Sequence, residues 1–242
     1  MSSNVLVIGA AVDSDGDRIP DAAENKSEVN GATIDNSDPN QMNLYVSILY
    51  SNDSERLSDT EKQQLRTIWA SMNVSNPNGE TGINLHIVEE QRAQHRFSKT
   101  YSGDLNETSN LDGLYNEYID EGCGVYHLVA MGEIKNAESA NVAGWGDVGG
   151  YATYVSDERV TYSTSEYNSR VWIITHELLH NVVGEINGEH APGDPYHTQQ
   201  GWLSTTQHER DLPENEALHP DVASQLSTEG FADSEQYSES VC

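Results

Sequence analysis

His176 and His180 bracket the run His176-Glu177-Leu178-Leu179-His180. Four residues is close to one helical turn, so both imidazoles project from the same face of an α-helix and can share one metal ion. Glu177, directly after the first histidine, is placed to take a proton from a water polarised by that metal. The flanking sequence supplies the helix. Arg170-Val171-Trp172-Ile173-Ile174-Thr175 is mostly apolar, and Gly184 follows Val182-Val183 as a stop signal. The pattern predicts a helix over 166–184 with its histidines on a buried face.

A catalytic zinc takes three protein ligands and leaves its fourth position to water. Two histidines downstream can complete such a set across a loop. His190 is the nearer, reached through the turn at Asn187-Gly188, and His197 follows in Asp194-Pro195-Tyr196-His197-Thr198. Both remain open, with His190 slightly favoured by proximity. Glu185, Glu189 and Asp194 offer oxygens in the same stretch but suit zinc less well.

A second constellation lies near the N-terminus, in Asp13-Ser14-Asp15-Gly16-Asp17-Arg18-Ile19-Pro20-Asp21-Ala22-Ala23-Glu24. Side-chain oxygens fall at loop positions one, three, five, nine and twelve, and the Ile19 carbonyl falls at seven. Asp13, Asp15, Asp17, Ile19, Asp21 and Glu24 thus form the oxygen set of a hard cation, calcium. Arg18 occupies the sixth position, where an EF-hand has its glycine. The spacing is more similar to the calcium repeats of thrombospondin type 3, which staple structure and do no catalysis.

The 242 residues carry 40 Asp and Glu against 12 Lys and Arg, a net charge of −28, with carboxylates spread along the whole chain. Dispersed negative charge holds hydration and suppresses association where salt screens repulsion, so the composition points to a protein built for high salt. It argues against nucleic acid or anionic membranes as partners. Cys123 and Cys242, the only cysteines, either pair or stay free. Asn4-Val5-Leu6-Val7-Ile8-Gly9-Ala10-Ala11 is too short to span a bilayer and lacks a signal peptide's basic start; it reads as a first strand or as the remainder of a processed leader.

The elements that must position these residues follow from periodicity. Met42–Tyr50 alternates as a strand, and Ser58-Asp59-Thr60-Glu61 is a capping box opening a helix through Leu65, Ile68, Trp69 and Met72. Asn76-Pro77-Asn78-Gly79 turns into a strand, Ile83–Val88. A helix over Leu111–Tyr118 and a central strand over Val125–Met131 come next. Glycine-rich 143–150 leads into a strand over Tyr151–Val155. A last helix, 220–229, is framed by Pro220 and Gly230.

With its H-E-x-x-H run, this order of elements resembles the metzincin superfamily of zinc peptidases, and in particular secreted prokaryotic members that couple a calcium loop to the catalytic domain. Asp-x-Asp-Gly-Asp-x-Ile-Pro-Asp, Asn76-Pro77-Asn78-Gly79 and Gly82-Ile83-Asn84-Leu85-His86 strengthen the likeness. The resemblance implies an α+β, zincin-like fold: a mixed twisted sheet and an active-site helix carrying His176, Glu177 and His180. It implies residues 1–40 as a calcium-binding segment and 41–242 as the peptidase domain. It also implies zinc and calcium as cofactors, Glu177 as the catalytic base and a peptide or protein as substrate. In that family the strand before the zinc helix binds extended peptide by edge pairing, a role that falls here to Gly149–Val155, with Gly149, Gly150, Tyr151, Ala152 and Thr153 in contact.

This chain departs from the family pattern H-E-x-x-H-x-x-G-x-x-H. Gly184 comes one residue late, and Ile186 stands where the third histidine would fall. All four methionines (Met1, Met42, Met72 and Met131) precede the motif, so Gly201-Trp202-Leu203-Ser204 stands in for the methionine turn beneath the metal. A gluzincin-type reading would take Glu209 or Glu214 as third ligand, but Pro213 interrupts the required helix. A non-catalytic calcium- and zinc-stabilised binding module is the alternative of a different class. His86 and His127 fall within strands and read as core or supporting residues. Calcium loops of this kind fill at extracellular calcium concentrations, so the expected location is outside the cell or at its surface.

Overall fold

The computed structural model describes residues 11–100, 111–135, 143–158, 167–204 and 216–232. Strand β3, Asn43–Tyr50, is buried at all eight positions, as a central strand covered on both faces must be. Its side chains alternate between two cores. Leu44, Val46, Ile48 and Tyr50 point into a large cluster that also receives Trp69, Trp172, Leu178 and Trp202. Tyr45 and Leu49 point into a smaller cluster with Leu111, Tyr115, Leu128 and Tyr154.

The N-terminal segment contributes the short helix α1, Asp21–Glu24, and the two-residue strands β1, Glu28–Val29, and β2, Ala32–Thr33. Ile19 and Ile34 enter the smaller core, so this segment shares buried contacts with the sheet. Helix α2, Asp59–Ser71, links β3 to β4, Asn84–Arg92. After β5, Ser98–Thr100, and α3, Leu111–Tyr118, comes β6, Tyr126–Lys135. A short strand β7, Gly144–Gly146, precedes β8, Ala152–Ser156, which leads to α4, Ser169–Val183. Helix α5 spans Pro220–Glu229.

The main path of the sheet runs β4-β3-β6-β8-β7, with β5 paired to the end of β6. The first four strands of that path are mutually parallel and β7 is antiparallel to β8, which makes the sheet mixed. The glycine-rich stretch, read from sequence as a lead-in, therefore contains a strand of its own.

The helix expected over 166–184 begins at Ser169, because the Asn168 side chain caps it by accepting from the Val171 N–H. The last helix and α3 have the expected bounds. Cys123 is disulfide-bonded; Cys242, the other cysteine of the chain, lies outside the described residues, as do Asn4–Ala10. Among the described residues, no helix is long and apolar enough to cross a membrane.

One carboxylate ties α2 to α4. Glu61 completes the α2 capping box, accepting from the Ser58 N–H at 2.7 Å. It also accepts from Asn168 Nδ2 at 2.8 Å and from Arg170 at 2.6 and 3.1 Å. Arg170, with no exposed surface, donates further to the Glu55 and Arg56 carbonyls. Burial alone would raise the Glu61 carboxyl, but the hydrogen bonds from Ser58, Arg170 and Asn168 outweigh it and hold it at about 2.

Breaking a buried pair from one side strands the other charge, so Glu61→Gln should destabilise the fold by about 3–5 kcal/mol in denaturant titrations. Because the folded-state value lies below the unfolded one of 4.5, the contribution is present above pH 4.5 and is lost as pH falls towards 2. The variant should show less of this acid-dependent loss; identical acid unfolding profiles would contradict the assignment.

Candidate metal centre

Every residue of α4 is buried, including its polar ones, and buried polar groups require partners. The partners set the geometry of the histidines. His176 and His180, one turn apart, bring their Nε2 atoms to 3.3 Å of each other. The loop after the helix returns across them. It is held by the Ile186 N–H on the Pro195 carbonyl, the Ala191 N–H on the His197 carbonyl and the Thr198 N–H on the Leu203 carbonyl. This fold-back puts His197 beside both, with ring centroids 5.3 Å from His176 and 4.7 Å from His180. One nitrogen of each of the three histidines lies within 4.8 Å of the others.

Two of the rings are fixed from behind. His176 Nδ1 donates to the Trp202 carbonyl at 2.7 Å, and His197 Nδ1 lies 2.8 Å from Asp194 Oδ2. An Nδ1–H committed to an oxygen leaves Nε2 as the lone-pair donor, the orientation that ligating histidines adopt. Trp172 stacks on His176 at 5.5 Å and packs against Trp202, so the Gly201–Ser204 segment supplies both a carbonyl and apolar support at this point.

His190, the candidate favoured by sequence proximity, lies outside the three-histidine cluster. It is exposed, and its Nδ1 meets the neighbouring Ala191 carbonyl. The Ala191–Asp194 bridge turns the chain back after it, so the more distant histidine arrives at the site. Glu185 and Glu189 are exposed, and Asp194 serves His197 instead of joining the nitrogen cluster. Glu209 and Glu214 lie outside the described residues.

The strand expected to offer a free edge is paired on both sides. Strand β8 pairs with β6 on one side and β7 on the other, so Ala152 and Thr153 have no free edge. Gly149 and Gly150 belong to the turn before β8, and Tyr151 packs on His127. The edge is Gly144–Gly146, and among the described residues no strand pairs with its outer side. It lies directly on α4. A Cβ on Gly146 would sit 2.3 Å from the Glu177 carbonyl oxygen, and one on Gly144 would sit 2.9 Å from the Glu177 Cγ and Oε1. The signal was present in the sequence as Gly-Trp-Gly: alternate residues of a strand share a face, and here that face admits only hydrogen.

Behind the helix, Asn181 donates to the Asp147 and Ala152 carbonyls, and its Oδ1 meets His127 Nδ1 at 3.3 Å. Burial and then the nearby Arg18 push His127 down to about 3, so it is a neutral core histidine. His86 stacks on Tyr45 and bonds Asn43. With Arg66 and Glu117 it lines a cavity of about 1100 Å³ whose lining includes none of the three clustered histidines.

In the acidic loop, Asp13, Asp15 and Asp17 each bring a carboxylate oxygen within 4.8 Å of the others. Glu24 is 1% exposed and Asp15 5%, yet Glu24 Oε2 and Asp15 Oδ2 have no hydrogen-bond partner. Burial, reinforced by neighbouring carboxylates, pushes Asp15 and Glu24 up to about 7 and Asp17 to about 9. Asp21 is engaged elsewhere, both its oxygens accepting from Ser14 at 2.8 Å. Ile19 sends its side chain into the core.

No family model matches this sequence, and no curated protein does. Among solved structures, the chain is similar to metalloproteinase-II from Bacteroides fragilis, at 14% identity and a TM-score of 0.47, over 77% of this chain and 52% of that one. It is also similar to archaemetzincin from Methanopyrus kandleri, at 15% identity and a TM-score of 0.43, over 78% of this chain and 95% of that one. This chain spans about half the length of the Bacteroides protein.

Removing the His197 imidazole should weaken zinc binding more than the roughly 10–100-fold typical of losing a ligand's supporting partner, the loss expected for Asp194→Asn. His190→Ala should leave zinc affinity unchanged. Competition against a chromophoric chelator measures all three variants, and equal effects at His190 and His197 would refute the assignment.

Proposed function

We propose that this chain is a zinc-dependent endopeptidase with a zincin-like catalytic domain, working in concentrated salt outside the cell. The observation that carries the reading is the convergence of His176, His180 and His197, with Glu177 on the same buried helix beside the edge strand Gly144–Gly146. Three imidazole nitrogens, two of them oriented through Nδ1, are a donor set that suits zinc and leaves its fourth position open. Zinc held there supplies Lewis acidity, polarising a peptide carbonyl and making water nucleophilic at neutral pH.

The chain's own groups do the rest. Glu177 accepts the proton of the attacking water and delivers it to the leaving amine. Strand β7 offers its outer N–H and C=O groups to an extended peptide, adding a strand to the sheet and presenting a scissile bond beside Glu177. Trp172, Trp202 and Asp194 hold the rings that must not move during the reaction.

The loop of Asp13, Asp15, Asp17 and Glu24, with the Ile19 carbonyl, is read as a calcium site. Buried like charges and unpartnered carboxylate oxygens are what a hard cation would compensate. Calcium at this site and the net charge of −28 together favour a salty extracellular setting.

Glu177→Gln should retain one zinc per chain while casein cleavage falls by at least the ~10²–10⁴-fold associated with a lost general base. Undiminished cleavage would remove Glu177 from the mechanism. Zinc bound by the unaltered chain without any cleavage would favour the binding module. Raising potassium chloride from about 0.1 M to about 3 M shortens the Debye length from ~10 Å to below ~3 Å and should raise the melting temperature. A melting temperature that falls over this range would refute the high-salt adaptation.

A further inference from the structure

The acidic loop and the histidine helix are physically joined, and Arg18 is the joint. It is the sixth residue of the loop and adopts a φ of 71°, the left-handed conformation that favours glycine. A long side chain at such a position is a standing backbone strain, which persists where the side chain has a role to fill. The Arg18 guanidinium donates to the Asn181 carbonyl at 3.3 Å and to the Gly149 carbonyl at 3.1 Å, and it lies 5.1 Å from the Tyr151 ring centroid.

Asn181 adjoins His180, and its carbonyl is among the last four of α4, which have no acceptor role within the helix and attract cations. Gly149 lies in the turn between β7 and β8, and its own N–H donates to the His180 carbonyl at 2.9 Å. One side chain thus grips both the end of the helix carrying His180 and the turn that follows the edge strand.

The backbone of Arg18 is held by the loop's carboxylates. Its N–H donates to Asp13 Oδ2, and the Ile19 N–H beyond it donates to Asp17 Oδ1. Asp13 and Asp17 belong to the convergent trio, and the unpartnered oxygens of Asp15 and Glu24 are nine-tenths or more buried. A divalent cation drawing those oxygens together would fix the backbone from which the guanidinium extends.

Resting on the calcium reading above, we propose that cation occupancy of the Asp13–Glu24 loop is coupled through Arg18 to the metal affinity of the His176–His180–His197 centre and to the order of the β7–β8 turn. Arg18 is a positioning residue, acting through His180 and Gly149. Linkage makes the effect reciprocal, so zinc should tighten calcium by the factor by which calcium tightens zinc.

The test measures zinc affinity of the full chain with a calcium-insensitive zinc indicator, at zero and saturating calcium. Hydrogen exchange of a peptide spanning Gly146–Thr153 is followed in parallel. In the unaltered chain calcium should tighten zinc about 5–150-fold, the usual range of coupling between sites, and slow exchange in the turn. Arg18→Gly relieves the φ strain and leaves the carboxylates in place, so it should still bind calcium while the coupling factor falls to one. Asp15→Asn should lose calcium and show the zinc affinity of the calcium-free chain, which keeps the test available if Arg18→Gly fails to fold. Calcium binding with unchanged zinc affinity and exchange would overturn the coupling and leave the calcium site standing. Absence of calcium binding would overturn the calcium reading, and the coupling with it.

Discussion

The complete burial of α4 governs the rest of the structure. A helix with no solvated face cannot leave polar side chains to water, so Arg170, Thr175, His176, His180 and Asn181 require partners inside the protein. Thr175 turns back to the Val171 carbonyl, and Asn181 bridges to the Asp147 and Ala152 carbonyls. Arg170 and Arg18, two of only 12 basic residues in a strongly acidic chain, serve the two ends of this helix.

Burial also explains why β7 is so short and so poor in side chains. The edge strand has to approach α4 closely enough for backbone to touch backbone, and only glycine permits this at Gly144 and Gly146. Trp145 between them points to the other face and stacks on Tyr154 at 5.0 Å, anchoring the strand to its neighbour while the glycines meet the helix. Three residues therefore combine close approach with firm attachment.

Local patterns were the most legible part of the sequence. The Ser58–Glu61 capping box, the Leu111–Tyr118 helix and the Pro220–Gly230 frame are short-range signals, and each names its element within a residue or two. The pairing of His176 with His180 was equally local, being set by helical pitch. The third histidine was legible only as a choice between His190 and His197, because its place depends on a fold-back closed by hydrogen bonds between backbone groups that carry no side-chain signature. The edge strand escaped for a related reason: pairing order is a property of the whole sheet, and a glycine-rich stretch reads as a loop until a helix is packed against it. Arg18 gave only a negative signal, as the wrong residue at a glycine position.

The carboxylate of Glu61 has one further consequence, for the order in which the chain can assemble. It reaches Asn168 and Arg170 across 107 and 109 residues, and it belongs to a helix that precedes most of the sheet. Contacts of such separation close late, because loop entropy must be overcome before they contribute. The α2 capping box is local, spanning Ser58 to Glu61, whereas the bonds from Asn168 and Arg170 need the intervening chain in place. Seating Arg170 on Glu61 is thus a long-range closure that brings α4 against α2, and its loop-closure cost falls on the chain between them.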